Sequence, residues 1–176
     1  MKKIHVSLSN RSISVAINAL ENYKKYILRK TEQLLTELAN EGVSIVSLKF
    51  STALYAGDND VSVKFEQRGE NKVAVVATGN ATLFIEFGTG VTYKAAHPLA
   101  DESGMNRGEY GHKLGSLPGG WRYKGNPGNV GEVITQGKHK GEIHTYGNPA
   151  NMSMYQTERE LEQKFTEIAK KVFNDG

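Results

Sequence analysis

The sequence predicts an α+β protein in which two amphipathic helices, one near each end of the chain, pack on a small antiparallel sheet. Three observations predict this class. Apolar residues recur at three- and four-residue steps up to about residue 39 and again after residue 153, and short alternating segments lie between residues 61 and 87. Each helix must bury its apolar stripe, and one face of the sheet is the natural partner.

Composition limits the number of domains and the kinds of chemistry. At 176 residues and 38% hydrophobic content, one domain is expected. We predict a core over residues 1–90 and 148–174, with an insertion over 91–147. The net charge of +3 is too small for a polycation that must bind nucleic acid. The chain has no cysteine, which excludes disulfides, thiolate catalysis and cysteine zinc sites.

The N-terminal segment lacks the pattern of a secretory signal peptide. Its first residues are basic but continue into an alternating pattern instead of the apolar core of a signal peptide. No apolar run approaches the roughly 18 to 20 residues that a membrane span requires. We therefore expect a soluble protein that is made and kept inside a cell, with no membrane partner.

The first helix is predicted from one long apolar stripe. Alternation over residues 4–8 predicts a short opening strand, and Ser12 is the predicted N-cap of the helix that follows. The stripe ends near Ala39, and Gly42 is a plausible C-terminal stop. Residues 43–50 are ambiguous between a continued helix and a strand, and their short alternation favours the strand.

Three strands are predicted next, at residues 61–66, 72–77 and 82–87, because apolar residues alternate between short turns. Short connections between them predict an antiparallel meander. Glu86 lies in the third strand, where alternation predicts an acid that faces outward. A salt bridge between subunits is the alternative for this side chain.

The last helix has clear start signals. Asn148 supplies an N-cap and Pro149 lies in the predicted first turn. Ser153 and Gln156 could form a capping box slightly later, before the apolar stripe begins. Between this helix and the sheet, residues 91–147 show only one possible strand, at 132–135. Insertions of this length are uncommon unless they bind something or become ordered on assembly.

Enzyme activity has no positive support in the sequence. Four histidines lie in the insertion and Glu86 stands at its entrance, which invites a metal-site interpretation: His97, His112, His139 and His144. Their spacings are irregular and lack a His-Glu-x-x-His pattern, so scattered solvated histidines are favoured. No phosphate-binding glycine loop or serine nucleophile motif is present. We predict no enzyme activity, no cofactor and no metal.

Two segments carry a resemblance to a known family. Residues 84–90 read Phe-Ile-Glu-Phe-Gly-Thr-Gly and resemble the FIEFGTG signature of the tail-component or tail-completion proteins of tailed bacteriophages, also called neck or head-tail joining proteins. Residues 145–155 resemble the segment that leads into the last helix of that family. With the glycine-rich stretch around 121–123, the resemblance covers roughly residues 12–173.

The resemblance implies a structural virion protein without enzymatic activity. Its implied fold is a long helix on a small sheet, and its implied assembly is a ring of identical copies, with a hexamer as one candidate. The ring would join the portal-side connector to the tail tube, contact neighbouring stopper or terminator proteins, and line the channel through which double-stranded DNA passes. The implied location is the virion, after assembly in the bacterial cytoplasm.

Three other functions remain open at this point. One is a tail terminator, and another is a tail or baseplate component of a contractile tail or of a phage-tail-like bacteriocin. A nucleic-acid-binding or metal-using enzyme built around the insertion is the third.

Site residues follow from the assembly hypothesis. Aromatic and arginine side chains are typical of interface centres, and the Gly-Thr-Gly turn is a hinge that would start an assembly loop. The predicted interface residues are Glu86, Phe87, Gly88, Thr89, Gly90, Trp121, Arg122 and Tyr123. The loop carries mixed charge, which suits DNA that must slide. The candidate DNA-channel contacts are Lys113, Lys124, Lys138 and Lys140.

Overall fold

The computed structural model describes residues 7, 9–89, 97–100, 102–103 and 119–174. Its elements are α1 (Asn10–Ser51), β1 (Ser62–Gly69), β2 (Lys72–Thr78), α2 (Thr82–Phe87), β3 (Trp121–Tyr123), β4 (Glu132–Val133), β5 (Ile143–Thr145) and α3 (Ser153–Asn174). The predicted α+β class, with a long N-terminal helix, a C-terminal helix and small antiparallel sheets, is confirmed. The opening strand predicted at residues 4–8 falls outside the described residues, apart from Ser7.

Helix α1 is 42 residues long, which corresponds to about 63 Å. Ser9, not Ser12, is the N-cap, and its side chain accepts a hydrogen bond from the Ser12 N–H at 3.3 Å. The helix does not stop at Gly42, so the strand predicted at residues 43–50 is wrong. Val46 and Phe50 are buried four residues apart, the spacing of one helical face.

Gly42 has a packing role instead of a terminating one. A Cβ atom at this position would lie 3.0 Å from Cγ2 of Val75 and 3.2 Å from Cδ1 of Leu161. Val75 belongs to β2 and Leu161 to α3, so the glycine lets a strand and a helix approach α1 at the same level.

Strands β1 and β2 form the predicted antiparallel hairpin, with Phe65 opposite Val75. The predicted third strand is wrong, because residues 82–87 form the short helix α2. The Asp60 carboxylate accepts hydrogen bonds from the N–H groups of Asn80 at 2.8 Å and Ala81 at 2.9 Å. This satisfies donors at the start of the helix, and the first sheet therefore has two strands instead of the three of a meander.

Helix α3 runs antiparallel to α1. Near its start, Lys49 Nζ lies 2.7 Å from a carboxylate oxygen of Glu160. Near its end, the buried Lys30 donates a hydrogen bond from Nζ to the Val172 carbonyl at 2.6 Å, where a cation complements the helix dipole. The Tyr26 hydroxyl also donates a hydrogen bond to the Phe173 carbonyl in the last turn of α3. Residues 10–25 of α1 therefore extend beyond α3 by about 24 Å.

The second sheet lies inside the predicted insertion. Its order is β3-β5-β4, with antiparallel pairing throughout. The strand predicted at 132–135 is confirmed over Glu132–Val133, whereas β3 and β5 were not predicted. Asn129 ties this sheet to the segment after α1, because its side chain accepts from the Tyr55 N–H and donates to the Ala53 carbonyl.

The main core lies at the C-terminal end of α1. It consists of Val46, Phe50, Ala53, Ala81 and Ile85, all buried, and the hairpin and α3 pack around it. In the described part of the chain, no helix is long and apolar enough to cross a membrane.

Candidate assembly site

The Phe-Ile-Glu-Phe-Gly-Thr segment is buried. It forms α2 and the turn that follows, with Ile85 and Glu86 only 0% and 4% exposed. Gly88 and Thr89 are buried as well, and Gly90 lies outside the described residues. The outward-facing acid predicted from strand alternation is therefore wrong, since the segment is helical and its side chains follow a different period.

Glu86 caps the first turn of α3. Its carboxylate accepts hydrogen bonds from the N–H groups of Met154 at 2.9 Å and Tyr155 at 3.1 Å. The first N–H groups of a helix lack partners within the helix, and that end is the positive end of its dipole. A buried carboxylate is thus placed where both hydrogen bonding and charge stabilise it.

His97 is the third partner of this carboxylate. Its Nε2 lies 3.0 Å from a Glu86 carboxylate oxygen, and both side chains are buried. The imidazole ring also contacts the rings of Phe87, at a centroid distance of 4.3 Å, and Tyr155, at 5.6 Å. The described segment 97–100 is thereby attached to the junction of α2 and α3.

The two segments that carried the family resemblance bind each other. The Thr89 N–H donates to the Asn148 carbonyl at 3.0 Å, and the Asn148 N–H donates to Thr89 Oγ1 at 2.7 Å. At Gly88, which has φ 74°, an added Cβ would lie 2.6 Å from the Ala150 nitrogen. Only glycine allows this close approach.

The predicted N-cap role of Asn148 and first-turn position of Pro149 are wrong, because α3 begins at Ser153. Asn148 instead accepts a hydrogen bond from the Ala56 N–H at 2.8 Å. Its backbone and side chain therefore join the segment before α3 both to the turn after α2 and to the segment after α1.

The predicted aromatic anchors lie in β3. Trp121 and Tyr123 are half-buried and Arg122 is exposed, with its Nε 3.8 Å from a Glu142 oxygen. Burial raises the pKa of the Tyr123 phenol, as does nearby Asp58, so the hydroxyl stays protonated and donates to the Asn126 carbonyl at 2.7 Å. That these three residues contact another copy stays a prediction.

The described candidate DNA contacts lie at one end of the second sheet. Lys124 follows β3, while Lys138 and Lys140 lie in the connection from β4 to β5, and all three are exposed. Since β3 and β4 both run antiparallel to β5, these two places share one end of the sheet. Lys113 lies outside the described residues.

The histidines in the described ranges have separate partners. His97 contacts Glu86, His139 Nδ1 lies 3.0 Å from Glu142, and His144 Nε2 lies 2.8 Å from the Gly119 carbonyl. His112 lies outside these ranges. Within them, no three histidine, aspartate or glutamate side chains come together as a metal site would require.

Sequence inspection missed an apolar groove between α1, β2 and α3. The groove has a volume of about 870 Å³. Its apolar lining includes Leu35, Leu38, Val73, Val75, Leu161 and Phe165. Phe165 is 47% exposed and the other five are half-buried. Two exposed acids, Glu158 and Glu162, stand at its edge on α3.

A second uncovered apolar surface lies on the part of α1 that extends beyond α3. Ile13, Ile17 and Leu20 are 40%, 50% and 58% exposed. Their spacing of four and three residues places them on one face of the helix. We call these three residues the N-terminal stripe. The signal in the sequence was the difference in length between the two apolar helices, because α3 is too short to cover all of α1.

Comparison of the chain with protein-family models, with curated proteins and with solved structures gives no match.

Proposed function

We propose that this protein is a structural subunit of the head-tail junction of a tailed bacteriophage, where it assembles into a ring that joins the portal-side connector to the tail tube. The observation that carries the proposal is apolar surface that one copy leaves uncovered. The groove and the N-terminal stripe both expose aliphatic side chains, and apolar surface of this kind is typical of protein-protein contact sites.

The extended shape supports assembly over an independent monomer. Over the first 24 Å or so of α1, which reach past α3, Ala16 is buried, while Ile13, Ile17 and Leu20 stay exposed although they are typical core residues. Further along α1, Leu35 and Leu38 lie on the same helix face and line the groove. A second molecule is the simplest way to bury the exposed half.

The resemblance supports the location at the tail junction. Its two segments, 84–90 and 145–155, are distant in sequence, yet residues of both form one hydrogen-bonded unit through Thr89 and Asn148. A pattern that maintains one buried unit has a physical reason to recur in a family. The unit also fixes the start of α3, and α3 forms one wall of the groove.

DNA passage is the second part of the proposal. The exposed lysines Lys124, Lys138 and Lys140 share one end of the second sheet, while Glu132 and Glu142 lie close by in the chain. Mixed charge attracts phosphates only moderately, and this suits a channel through which DNA must slide. In the ring, this end of the sheet faces the lumen.

The proposal is tested by the oligomeric state of the purified chain and by its location in the phage particle. Light scattering after size exclusion gives the mass of the purified chain, and electron microscopy shows whether particles of that mass are rings with a channel wide enough for a DNA duplex. Antibody labelling of phage particles that carry the protein locates it. Label at the head-tail junction supports the proposal, whereas label at the far tail end, or a metal-dependent monomer that cleaves DNA, contradicts it.

A further inference from the structure

The apolar groove and the N-terminal stripe match each other in shape and chemistry. The groove runs between two helices and a strand, and most of its apolar lining is half-buried in the single chain, with Phe165 exposed. The stripe presents aliphatic side chains at positions i, i+4 and i+7 of an exposed helix, the spacing with which a helix places anchors in a groove. One surface is concave and the other convex.

Their charges are also complementary. Residues 10–29 of α1 carry four basic side chains, Arg11, Lys24, Lys25 and Arg29, against one acid, Glu21. The groove is lined by two acids, Glu158 and Glu162, and by no basic residue. Glu162 also pairs with Arg159 of α3 at 2.9 Å, so Glu158 carries most of the groove's negative charge. Lys24 is four residues after Leu20 and therefore lies on the same helix face as the stripe. A basic helix would thus enter an acidic groove.

The stripe cannot fill the groove of its own chain. Both surfaces use residues of the single helix α1, the stripe at residues 13–20 and the groove from Leu35 to Val46. About 22 Å of helix separates Leu20 from Leu35. A stripe that occupies the groove must therefore belong to another molecule, and a second copy of this chain supplies the apolar spacing and the charge that match the groove.

We infer that the N-terminal stripe of one copy docks in the apolar groove of the next. The contact uses different surfaces on the two copies, so it leaves one stripe and one groove free at the ends of any open chain of subunits. Such contacts repeat from copy to copy, and they form a closed ring where the rotation between neighbours closes. This inference deepens the proposed function and rests on it, because it states how the ring is joined.

Disulfide trapping tests the contact directly, since the natural chain has no cysteine. The variant L20C/F165C carries one thiol on the stripe and one at the groove, both at exposed positions where a cysteine does not disturb the core. Under mild oxidation we expect a ladder of covalent oligomers that ends at the ring size. Ile17→Cys and Leu161→Cys provide a second position on each surface. A trap is therefore still found if the stripe docks one helical turn away from the expected alignment.

The controls separate the possible geometries. N22C/F165C places the first thiol on the opposite side of the same helix. Its yield of covalent oligomers should be at most a small fraction of that of L20C/F165C. A mixture of the single variants L20C and F165C should give a mixed dimer and little more. Dimers formed by L20C alone, without mixed dimers, would mean that stripes pair with each other, and would overturn the inference.

Charge and apolar substitutions give an independent measurement. I17E/L20E should weaken self-association by roughly 100-fold or more, because it places charge at the centre of the contact, while N18E/N22E adds equal charge on the other face and should leave it nearly unchanged. I17E/L20E keeps its groove and F165E keeps its stripe. Mixing them should therefore restore a one-to-one dimer that neither variant forms alone.

The two levels of the proposal fail in different ways. If the wild-type chain forms rings that neither trap through these cysteines nor weaken with I17E/L20E, the docking is wrong while ring assembly stands. If the wild-type chain stays monomeric at all concentrations and no variant traps, both the docking and the ring proposal are overturned.

Discussion

The carboxylate of Glu86 accepts a hydrogen bond from the backbone N–H of Met154 at 2.9 Å, across 68 positions of sequence. Helix α3 is therefore capped by a residue from α2 and not by its own preceding segment. The start of α3 is fixed relative to the core, since Ile85 beside Glu86 is fully buried. Because this contact fixes the position of α3, it also fixes the position of the surfaces that α3 forms, including the apolar groove.

Replacement of Glu86 by glutamine tests this cap. The amide keeps the shape but removes the charge at the positive end of α3 and weakens the hydrogen bonds to Met154, Tyr155 and His97. We expect a loss of about 1 to 3 kcal/mol in the free energy of unfolding, measured by urea denaturation. Glu70→Gln, at an exposed turn, is the control and should change stability by less than about 0.5 kcal/mol. Equal effects of the two substitutions would contradict the capping role.

The Glu86 contact also shows what local pattern can and cannot predict. The long stripes of α1 and α3 and the alternation of β1 and β2 are strong periodic signals, and these elements were predicted. Residues 82–87 are only six long, and an apolar run of that length is compatible with a strand or with a buried helix. The helix is favoured by Asp60, which caps α2 from 20 residues earlier in the chain.

The site was less predictable than the fold. The start of α3 depends on a distant carboxylate, so the local capping signals at Asn148 and Pro149 misplaced it. The groove is formed by three elements at once, and no segment contains its pattern. The extension of α1 beyond α3 was accessible in principle, but the predicted end at Gly42 concealed it, because a glycine that allows close packing resembles one that stops a helix.

Gly88→Ala tests the close approach between the turn after α2 and the segment before α3. The added methyl group would meet the backbone of Asn148 and Ala150 at 2.8 Å and 2.6 Å, and φ 74° disfavours any side chain. We expect a destabilisation of roughly 1 to 3 kcal/mol, seen as a lower midpoint of thermal unfolding. Gly69→Ala is the matched control, since a Cβ there meets nothing within 4 Å. If both variants unfold at the same temperature, the close approach is not required.

Asp60 predicts a specific dependence of stability on pH. Hydrogen bonds from the N–H groups of Ala81 and Asn80 hold the pKa of the Asp60 carboxyl below its ordinary value of 3.8. A lowered folded-state pKa means that the carboxylate stabilises the fold above the unfolded-state pKa. That contribution is lost as the pH falls from about 3.8 through the lowered value. Unfolding measured from pH 6 downward should show the wild type converging on Asp60→Asn in this window. A constant difference between the two proteins across it would exclude the role.

Asn129 connects the second sheet to the segment that follows α1. Its side chain accepts from the Tyr55 N–H at 2.8 Å and donates to the Ala53 carbonyl at 2.9 Å. Asn129→Ala should cost about 1 kcal/mol and speed hydrogen exchange at the Tyr55 amide, which NMR resolves for one residue. Asn71→Ala, in the exposed turn of the hairpin, should leave that amide unchanged. Unaltered exchange in Asn129→Ala would show that other contacts hold the sheet.

The lysines at one end of the second sheet predict a DNA effect that is separable from assembly. K124A/K138A/K140A removes three positive charges from the proposed lumen, and we expect phage particles with normal rings that retain less DNA and infect less well. Binding of duplex DNA to the assembled ring should weaken, and its salt dependence should become shallower by about 0.9 in log-log slope for each phosphate that the ring no longer neutralises.

The control for these lysines removes the same charge elsewhere. K72A/K170A/K171A also lowers the formal net charge from +3 to 0, but its lysines lie on the hairpin and on α3, where all three are exposed. A non-specific effect of net charge would reduce DNA binding equally in both variants, whereas a lumen role reduces it only in the first. Normal DNA retention, infectivity and salt slope in K124A/K138A/K140A would show that this end of the sheet does not face the DNA, even if the ring itself is present.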